Sequence, residues 1–302
     1  MTKKAIVPIA GEGTRLFPVT KEQPKTMLPV FDRGTNGELC VKPVLQMIYE
    51  QLFASGVREF FFVVGRDKRI IQNHFSADST LVRDLIRKGK VNTADNLESF
   101  YKMMDASEIT WVDQPSPKGF GDAVLQAERF VGGDDFIVHA GDTYIRTEGN
   151  WHLTRSLERR EDSEITMIVR PVKDPERFGV IRSRKSIGGH IVLEAIEKPR
   201  KFVSNLAIMP VYSFSASIFE DLKSTSFGFG GEVQLTDGIQ RSILNGRKVR
   251  ALELPIDSVW IDVGTPESYW EAQELTHNLF TSKNEFTESV VNGRMFQIPQ
   301  VA

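Results

Sequence analysis

The chain has 302 residues, of which 40% are apolar, with a formal net charge of −2 and an isoelectric point near 6.3. This composition suits one large globular domain or two small ones, and without a basic excess nucleic acid is not an expected partner. The single cysteine, Cys40, excludes an internal disulfide and a cysteine-type metal cluster. No apolar run is long enough for a signal sequence or a membrane span, so we expect a cytoplasmic protein with no membrane partner.

In the first half of the chain, apolar runs alternate with helical patterns, which predicts parallel strands joined by crossover helices. Strands are predicted at residues 5–9, 59–64, 109–112 and 135–139, and helices are predicted from Pro43 to about Gly56 and over 122–130. The charged region 76–106 carries Leu97, Phe100, Tyr101 and Met104 at helical spacing. We therefore predict a helical insertion there, with this stripe packed into the core.

In the second half, strands predicted at 165–170, 179–183, 191–197 and 206–214 follow one another with little helix between them. Such strands form a mixed or antiparallel annex. The predicted fold class is α/β, with a Rossmann-like, mostly parallel central sheet flanked by helices and this annex beside it. Residues 1–280 are predicted to form the catalytic domain, with 281–302 as a C-terminal tail.

The most informative motif is the stretch AGEGTRLFPVTKEQPKTMLP at residues 10–29, directly after the first predicted strand. Gly11 and Gly13 allow the backbone to approach a phosphate closely, while Arg15 and Lys25 can neutralise its charge. The stretch is neither a dinucleotide fingerprint, whose third glycine is replaced by Leu16, nor a Walker loop. It predicts a nucleoside triphosphate site of another kind.

A second motif, QPSPKGFGDAVLQA, occupies residues 114–127. Its prolines favour an extended loop, and Gly119 precedes a predicted helix whose N-terminus favours an anion or a polar base edge. Gln114 carries both a donor and an acceptor, the pair needed to read the imide edge of uracil or thymine. From these residues alone, a proline-rich connector with an exposed glutamine stays open.

Two aspartates follow apolar strands more than a hundred residues apart: Asp142 in HAGDTYI and Asp262 in VWIDVGTPE. Ligands of open α/β sheets bind at the carboxyl ends of strands. Two carboxylates there can hold one Mg²⁺, which prefers few carboxylates together with phosphate oxygens and water.

The glycine motif resembles the sugar-1-phosphate nucleotidylyltransferases, whose signature is a G-x-G-T-R loop followed by proline-lysine and leucine-proline. The sequence PKTMLP at residues 24–29 is closer to the uridylyltransferase branch than to the thymidylyltransferases. The resemblance implies that Ala10, Gly11, Gly13, Gln114 and Gly119 bind the nucleotide and that Asp142 and Asp262 bind the metal. Some relatives have a second acid where this chain has Thr143, so the number of metal ions, one or two, stays open.

The resemblance also implies a sugar-binding annex. RFGVI, AIEKP and SNLAI match the family's sugar-phosphate site and supply Gly179, Glu197, Lys198 and Asn205. The segment GGEVQLTDGI at 230–239 is a weaker match to a helix that borders the same pocket. Glu197-Lys198 read alone is an ordinary exposed pair at a strand end.

The implied reaction transfers a uridylyl group from UTP to glucose 1-phosphate, giving UDP-glucose and pyrophosphate with Mg²⁺ as cofactor. Arg15 and Lys25 are expected to stabilise pyrophosphate and Lys198 to steady the attacking phosphate. The alternatives are a thymidylyltransferase that uses dTTP, a noncatalytic sugar-nucleotide sensor and a Rossmann-type oxidoreductase, which Leu16 disfavours. The large apolar side chains in the tail 281–302 must be covered, either by this subunit's own annex or by a symmetry mate. The resemblance implies the second, a homo-oligomer, dimer or tetramer, with that tail at an interface.

Overall fold

The computed structural model describes residues 3–65, 69–158 and 163–281. Within them the strands are β1 (Lys3–Pro8), β2 (Pro29–Arg33), β3 (Leu39–Pro43), β4 (Val57–Val64), β5 (Glu108–Asp113), β6 (Phe136–His139), β7 (Thr143–Arg146), β8 (Ile165–Pro171), β9 (Gly179–Ser186), β10 (Gly189–Glu197), β11 (Leu206–Phe214), β12 (Val249–Glu253) and β13 (Val259–Asp262). The helices are α1 (Val44–Ala54), α2 (Arg69–His74), α3 (Ser79–Arg87), α4 (Val91–Asp105), α5 (Phe120–Gln126), α6 (Glu128–Val131), α7 (Trp151–Leu157), α8 (Ile218–Lys223), α9 (Leu235–Leu244) and α10 (Pro266–Thr281).

The centre of the molecule is a nine-stranded sheet in the order β5-β4-β1-β6-β11-β8-β12-β10-β9. Strands β5, β4, β1 and β6 are parallel, as the alternation of strands and helices predicts. From β11 onward the pairing is mostly antiparallel, with β8 and β12 parallel. The predicted α/β class is confirmed, and the mixed part continues the central sheet instead of forming a separate one.

Helices cover both faces of the sheet, and each face has its own buried cluster. Along β1, Ala5 and Val7 face the cluster beneath α1, α4 and α10, whereas Ile6 faces the cluster beneath α5, α8 and α9. This is the two-residue alternation of a strand that is buried on both sides. Consecutive apolar residues in β1 are therefore explained by burial on both faces.

Most predicted elements of the first half are present. The helical region predicted over 76–106 is formed by α3 and α4, and Phe100 and Met104 are buried as expected. The helix predicted over 122–130 is divided into α5 and α6 at Ala127.

Among the described residues, no helix combines the length and apolarity that crossing a bilayer requires. The tail predicted to mediate oligomerisation lies, from residue 282 onward, outside the described residues.

Two small sheets were not predicted, and both matter for the site. The hairpin of β2 and β3 follows the glycine motif and packs beside α10. The second sheet pairs β7 with β13 in antiparallel register, with Asp262 opposite Thr143. This pairing brings the second half of the chain back to the end of β6.

Candidate active site

The glycine motif forms a compact loop of short 3-10 turns after β1. Gly13 has a positive φ of 65°, and its carbonyl accepts a hydrogen bond from the Thr20 hydroxyl at 2.8 Å. A Cβ on Gly13 would lie 3.1 Å from Thr20 Cγ2, so both conformation and space favour glycine there. Arg15 is exposed and makes no hydrogen bond or ion pair with another described residue. Its guanidinium is therefore available to an anionic ligand.

A first cavity of about 310 Å³ lies beside this loop. Its walls include Ala10, Gly11 and Gln114 from the predicted nucleotide site, together with Pro115 and Pro117. Gln114 is 6% exposed, and its amide nitrogen donates to the Gly119 carbonyl at 3.1 Å and to Asp122 at 2.7 Å. With its donor engaged inside the loop, Gln114 offers a ligand its carbonyl oxygen. The donor half of the predicted imide contact must come from another group.

Gly119 is explained by packing and is not among the residues that line this cavity. It has φ of 108°, and a Cβ there would lie 2.7 Å from both the Val233 carbonyl oxygen and Glu232 Cβ. The loop is joined to the same segment by hydrogen bonds from Gly121 to the Val233 carbonyl, 2.9 Å, and from the Val233 N–H to the Lys118 carbonyl, 2.8 Å. The segment 230–239 therefore borders the loop formed by residues 114–121. Direct nucleotide contact by Gly119 stays a prediction.

Asp142 is placed by close approach of the β6 end to the β1 end. The Gly141 N–H donates to the Pro8 carbonyl at 3.3 Å, and a Cβ on Gly141 would lie 2.2 Å from Ile9 Cγ2. Asp142 then contacts the Lys25 ammonium, which comes from the glycine motif 117 positions earlier. The Lys25 stem also passes Gly11, whose Cβ would lie 3.4 Å from Lys25 Cε.

Asp262 joins this pair through the β7–β13 sheet. The Val263 N–H donates to the Asp142 carbonyl at 3.2 Å. One carboxylate oxygen of Asp262, Oδ1, accepts from the Gly264 N–H at 2.8 Å and the Ser268 hydroxyl at 3.2 Å. Its other oxygen, Oδ2, has no hydrogen-bond donor within the described part of the chain.

The three charges shift one another's titration in opposite directions. Burial alone would raise the pKa of Asp142, but the Lys25 charge and hydrogen bond outweigh it, so that pKa lies below its usual value. The pKa of Lys25 is raised, chiefly by Asp142. The pKa of Asp262 is raised, first by burial and then by the negative charge of Asp142. At neutral pH the cluster holds an excess of buried negative charge that a cation would relieve.

A second cavity of about 270 Å³ is lined in part by the two aspartates. Its walls include Asp142, Asp262, Gly179 and Glu197. Glu197 Oε2 accepts from the Thr236 hydroxyl at 2.8 Å, and a Cβ on Gly179 would lie 3.0 Å from the same oxygen. Glycine at 179 therefore keeps space open in front of the Glu197 carboxylate. The predicted sugar residues Gly179 and Glu197 are brought together.

The other two predicted sugar residues lie differently. The Lys198 ammonium is 3.8 Å from Glu197 Oε1, and the Lys198 backbone has a positive φ of 42°. Asn205 is exposed at the start of β11 and is not among the cavity residues, so its role stays a prediction. Segment 230–239, the weaker match expected to border this pocket, lines the second cavity through Gln234 and Thr236. Arg177 and Trp260 lie in the motifs RFGVI and VWIDVGTPE but were not singled out, and Tyr212 was predicted only as part of a strand.

His139, close to Asp142 in sequence, has no access to either cavity. It is fully buried, and its Nδ1 lies 2.8 Å from the Ala140 carbonyl oxygen. Burial lowers the pKa of His139 to about 4, so it is neutral at pH 7. This agrees with the sequence interpretation of a packed residue at a strand end.

The α/β fold, the two cavities, and the lysine and two carboxylates that lie beside them are typical of a nucleotide-dependent enzyme that acts on phosphate groups. Lys25 links the cavities, since its stem passes Gly11 of the first and its ammonium meets Asp142 of the second. The chain belongs to the nucleotidyl transferase family, whose sequence profile matches residues 4–278.

Individual relatives agree with this assignment. The chain is similar to the UTP–glucose-1-phosphate uridylyltransferase of Bacillus subtilis, with 38% identity over 244 residues covering 79% of this chain and 80% of that protein. It is similar to the crystal structure of a UDP-glucose pyrophosphorylase complexed with UDP-glucose, with 27% identity, a TM-score of 0.79, and coverage of 92% and 100% of the two chains. UTP-bound UGPase from Acinetobacter baumannii gives the same identity and TM-score, with coverage of 94% and 95%.

Proposed function

We propose that this enzyme transfers a uridylyl group from UTP to glucose 1-phosphate, giving UDP-glucose and pyrophosphate. The observation that carries the proposal is the contact of Lys25 with Asp142 between two cavities, one beside the glycine motif and one containing Glu197. The names of the relatives supply the substrates. The match over 4–278 supports residues 1–280 as the catalytic domain.

The residues act by positioning and charge neutralisation. The sugar phosphate is already anionic at neutral pH, so its oxygen attacks the α-phosphorus of UTP without a general base, and the bond to the β-phosphate oxygen breaks. Arg15 and Lys25 stabilise the charge that develops on pyrophosphate. Lys198 steadies the attacking phosphate, while Glu197 accepts hydrogen bonds from sugar hydroxyls in the space beside Gly179.

Magnesium fits the carboxylates between the cavities. Asp262 Oδ2 is free of donors within the described residues, and Asp142 is ionised because its pKa is lowered. The described residues contain no cluster of three or more acidic, histidine or cysteine ligands, so the remaining ligands would be phosphate oxygens and water, as Mg²⁺ prefers. When bound, the ion supplies positive charge to the reacting phosphates. The Thr143 hydroxyl lies where a second acid would be needed, which favours one ion.

The test is pyrophosphate release from a panel of UTP and dTTP with several sugar 1-phosphates, with and without Mg²⁺. Release with UTP and glucose 1-phosphate supports the proposal. Preference for dTTP would make the enzyme a thymidylyltransferase, and binding without release would make it a sugar-nucleotide sensor. Failure of the purified protein to bind a nicotinamide cofactor would dispose of the oxidoreductase alternative.

We also propose a homo-oligomer with the tail at an interface, and a cytoplasmic location. Phe286, Val290, Val291, Met295, Phe296 and Ile298 are the large apolar residues of the tail. Deleting residues from Ser282 onward should lower the mass measured by light scattering. A full-length monomer, or an unchanged mass after deletion, contradicts the oligomer proposal. Cell fractionation tests the location.

A further inference from the structure

An exposed aromatic ring lies against the lysine predicted to hold the sugar phosphate. The Lys198 ammonium is 4.6 Å from the centre of the Phe229 ring, a cation–π contact. The same ammonium is 3.8 Å from Glu197 Oε1. It is therefore close both to a ring and to the carboxylate of a residue that lines the second cavity.

The backbone restrains Lys198 at this place. Its N–H donates to the Phe178 carbonyl at 3.0 Å, and its φ of 42° is in the left-handed region that a lysine rarely adopts. Such a conformation persists where surrounding contacts determine it and is common at functional sites. These backbone contacts hold the Lys198 Cα at the end of β10, and its ammonium reaches the Phe229 ring.

The ring is carried on a turn that is itself anchored to the cavity wall. We call residues 228–232 the Phe229 turn. The Gly228 N–H donates to the Glu232 carbonyl at 2.8 Å, and the Gln234 side chain, which lines the cavity, donates to the Phe229 carbonyl at 3.0 Å. A Cβ on Gly228 would lie 2.0 Å from Asp237 Oδ2, so the turn sits tightly on the start of α9.

Fold stability does not explain the ring. Phe229 is 53% exposed and belongs to neither buried cluster. Phe227, two residues earlier, is 64% exposed, and among the described residues the Lys198 ammonium makes its cation–π contact with Phe229. Because Phe227 is more exposed than Phe229, exposure does not distinguish the two, and what distinguishes Phe229 is its contact with the Lys198 ammonium.

We infer that Phe229 is a positioning residue that keeps the Lys198 ammonium available to the phosphate of the incoming sugar phosphate. Without the ring, the ammonium would move closer to Glu197 or into solvent, and Glu197 would then be less available to the sugar hydroxyls. The ring attracts the cation without neutralising it, so the full positive charge stays available to phosphate. This inference rests on the proposed function, in which Lys198 binds the sugar phosphate.

The experiment measures kcat and KM for both substrates in Phe229→Leu, with Phe229→Tyr as the conservative variant and Phe227→Leu as the matched control. We expect Phe229→Leu to raise KM for glucose 1-phosphate about threefold to fivefold, the size of one partly exposed cation–π contact, with KM for UTP unchanged. Phe229→Tyr should restore the wild-type KM, and Phe227→Leu should not alter it. Thermal melting of each variant shows whether the fold is intact.

A second arm repeats Phe229→Leu in a Lys198→Met background, where the ring has no ammonium to hold and the KM effect should vanish. An unchanged KM in Phe229→Leu, equal effects on both substrates, or an effect that persists without Lys198 would overturn the inference. An inactive wild-type protein would instead overturn the proposed function, so the two failures are distinguishable.

Discussion

The two aspartates between the cavities should respond in opposite ways to the same substitution when stability is measured without metal. In Asp142→Asn, the buried Lys25 ammonium faces an amide N–H₂ or a weaker carbonyl partner instead of a carboxylate. In Asp262→Asn, the amide oxygen can keep both hydrogen bonds, because Gly264 and Ser268 donate to the same oxygen. The first change removes an attraction, whereas the second removes a repulsion.

The expected sizes follow from burial. Removing one partner of a fully buried ion pair destabilises by ~3–5 kcal/mol, and a value at or just below the lower end of that range applies here because the Lys25 and Asp142 side chains are 22% and 21% exposed. We expect Asp142→Asn to lower the free energy of unfolding by ~2–3 kcal/mol, a fall of roughly 4–8 °C in Tm. Asp262→Asn should raise it by about 1 kcal/mol, as relief of an unfavourable active-site charge commonly does.

The pH dependence of the free energy of unfolding tests whether the aspartate charges cause these two effects. The lowered pKa of Asp142 contributes stability that is present above its unfolded pKa and lost as pH falls through its folded pKa. Because the pKa of Asp262 is raised in the folded state, its ionised carboxylate lowers the free energy of unfolding at pH values above that folded pKa. This loss of stability disappears at pH values below the unfolded pKa of the same group. The difference in free energy of unfolding between each asparagine variant and the wild type should therefore become smaller at acid pH.

The assay is urea and thermal unfolding in EDTA, with Asp95→Asn, an exposed charge on α4, as the control for simple charge removal. Equal destabilisation by the two active-site variants would refute the reasoning, because it would mean that the Asp262 charge is not repelled in the metal-free fold. A gain in stability from Asp142→Asn would refute it equally.

Four further outcomes are expected. With Mg²⁺, Asp142→Asn and Asp262→Asn should each lower kcat at least about a hundredfold; near-normal turnover in both would contradict the metal role. UTP should exceed dTTP in kcat/KM by roughly tenfold, since dTTP adds one methyl, worth only ~1–3 kcal/mol, and lacks the ribose 2′-hydroxyl; an equal or higher value for dTTP would reverse the assignment. Lys25→Met should move the acid limb of kcat/KM to higher pH, because the Lys25 charge lowers the pKa of both aspartates; an unmoved limb would count against the coupling. Gly141→Ala should destabilise by ~1–3 kcal/mol through its clash with Ile9, whereas Gly133→Ala, with open space at its Cβ, should not; similar unfolding midpoints for the two would contradict the packing argument.

The parallel half of the fold could be predicted because its signals are local. Strand β1, helix α1 and strand β4 are each readable from hydrophobic periodicity and flanking proline or glycine. The β7–β13 pairing could not be predicted in this way. Each of those strands has four residues, too few for a periodic pattern, and their pairing joins segments more than a hundred positions apart.

The same contrast between local and long-range signals applies to the residues of the candidate site. Gly13, Lys25, Asp142 and Asp262 were predicted because short motifs carry them, and the structure brings Lys25 and the aspartates together. Thr236 and Trp260 lie inside sequence motifs but were not singled out, because a threonine in a helix and a tryptophan in a strand have no pattern of their own that separates a cavity wall from a core. Gly119 shows the converse limit, since its local motif suggests ligand contact while its Cβ space is occupied by Val233.

The Lys25–Asp142 contact connects stability with the proposed chemistry. In the metal-free fold, the ammonium satisfies Asp142, whereas Asp262 keeps one carboxylate oxygen without a donor among the described residues. A divalent cation beside both carboxylates would take over the neutralisation of Asp142 and leave the Lys25 charge available to a phosphate. The residue that stabilises the empty site is thus the one proposed to bind the leaving group, and the opposite effects of the two asparagine variants measure that double role.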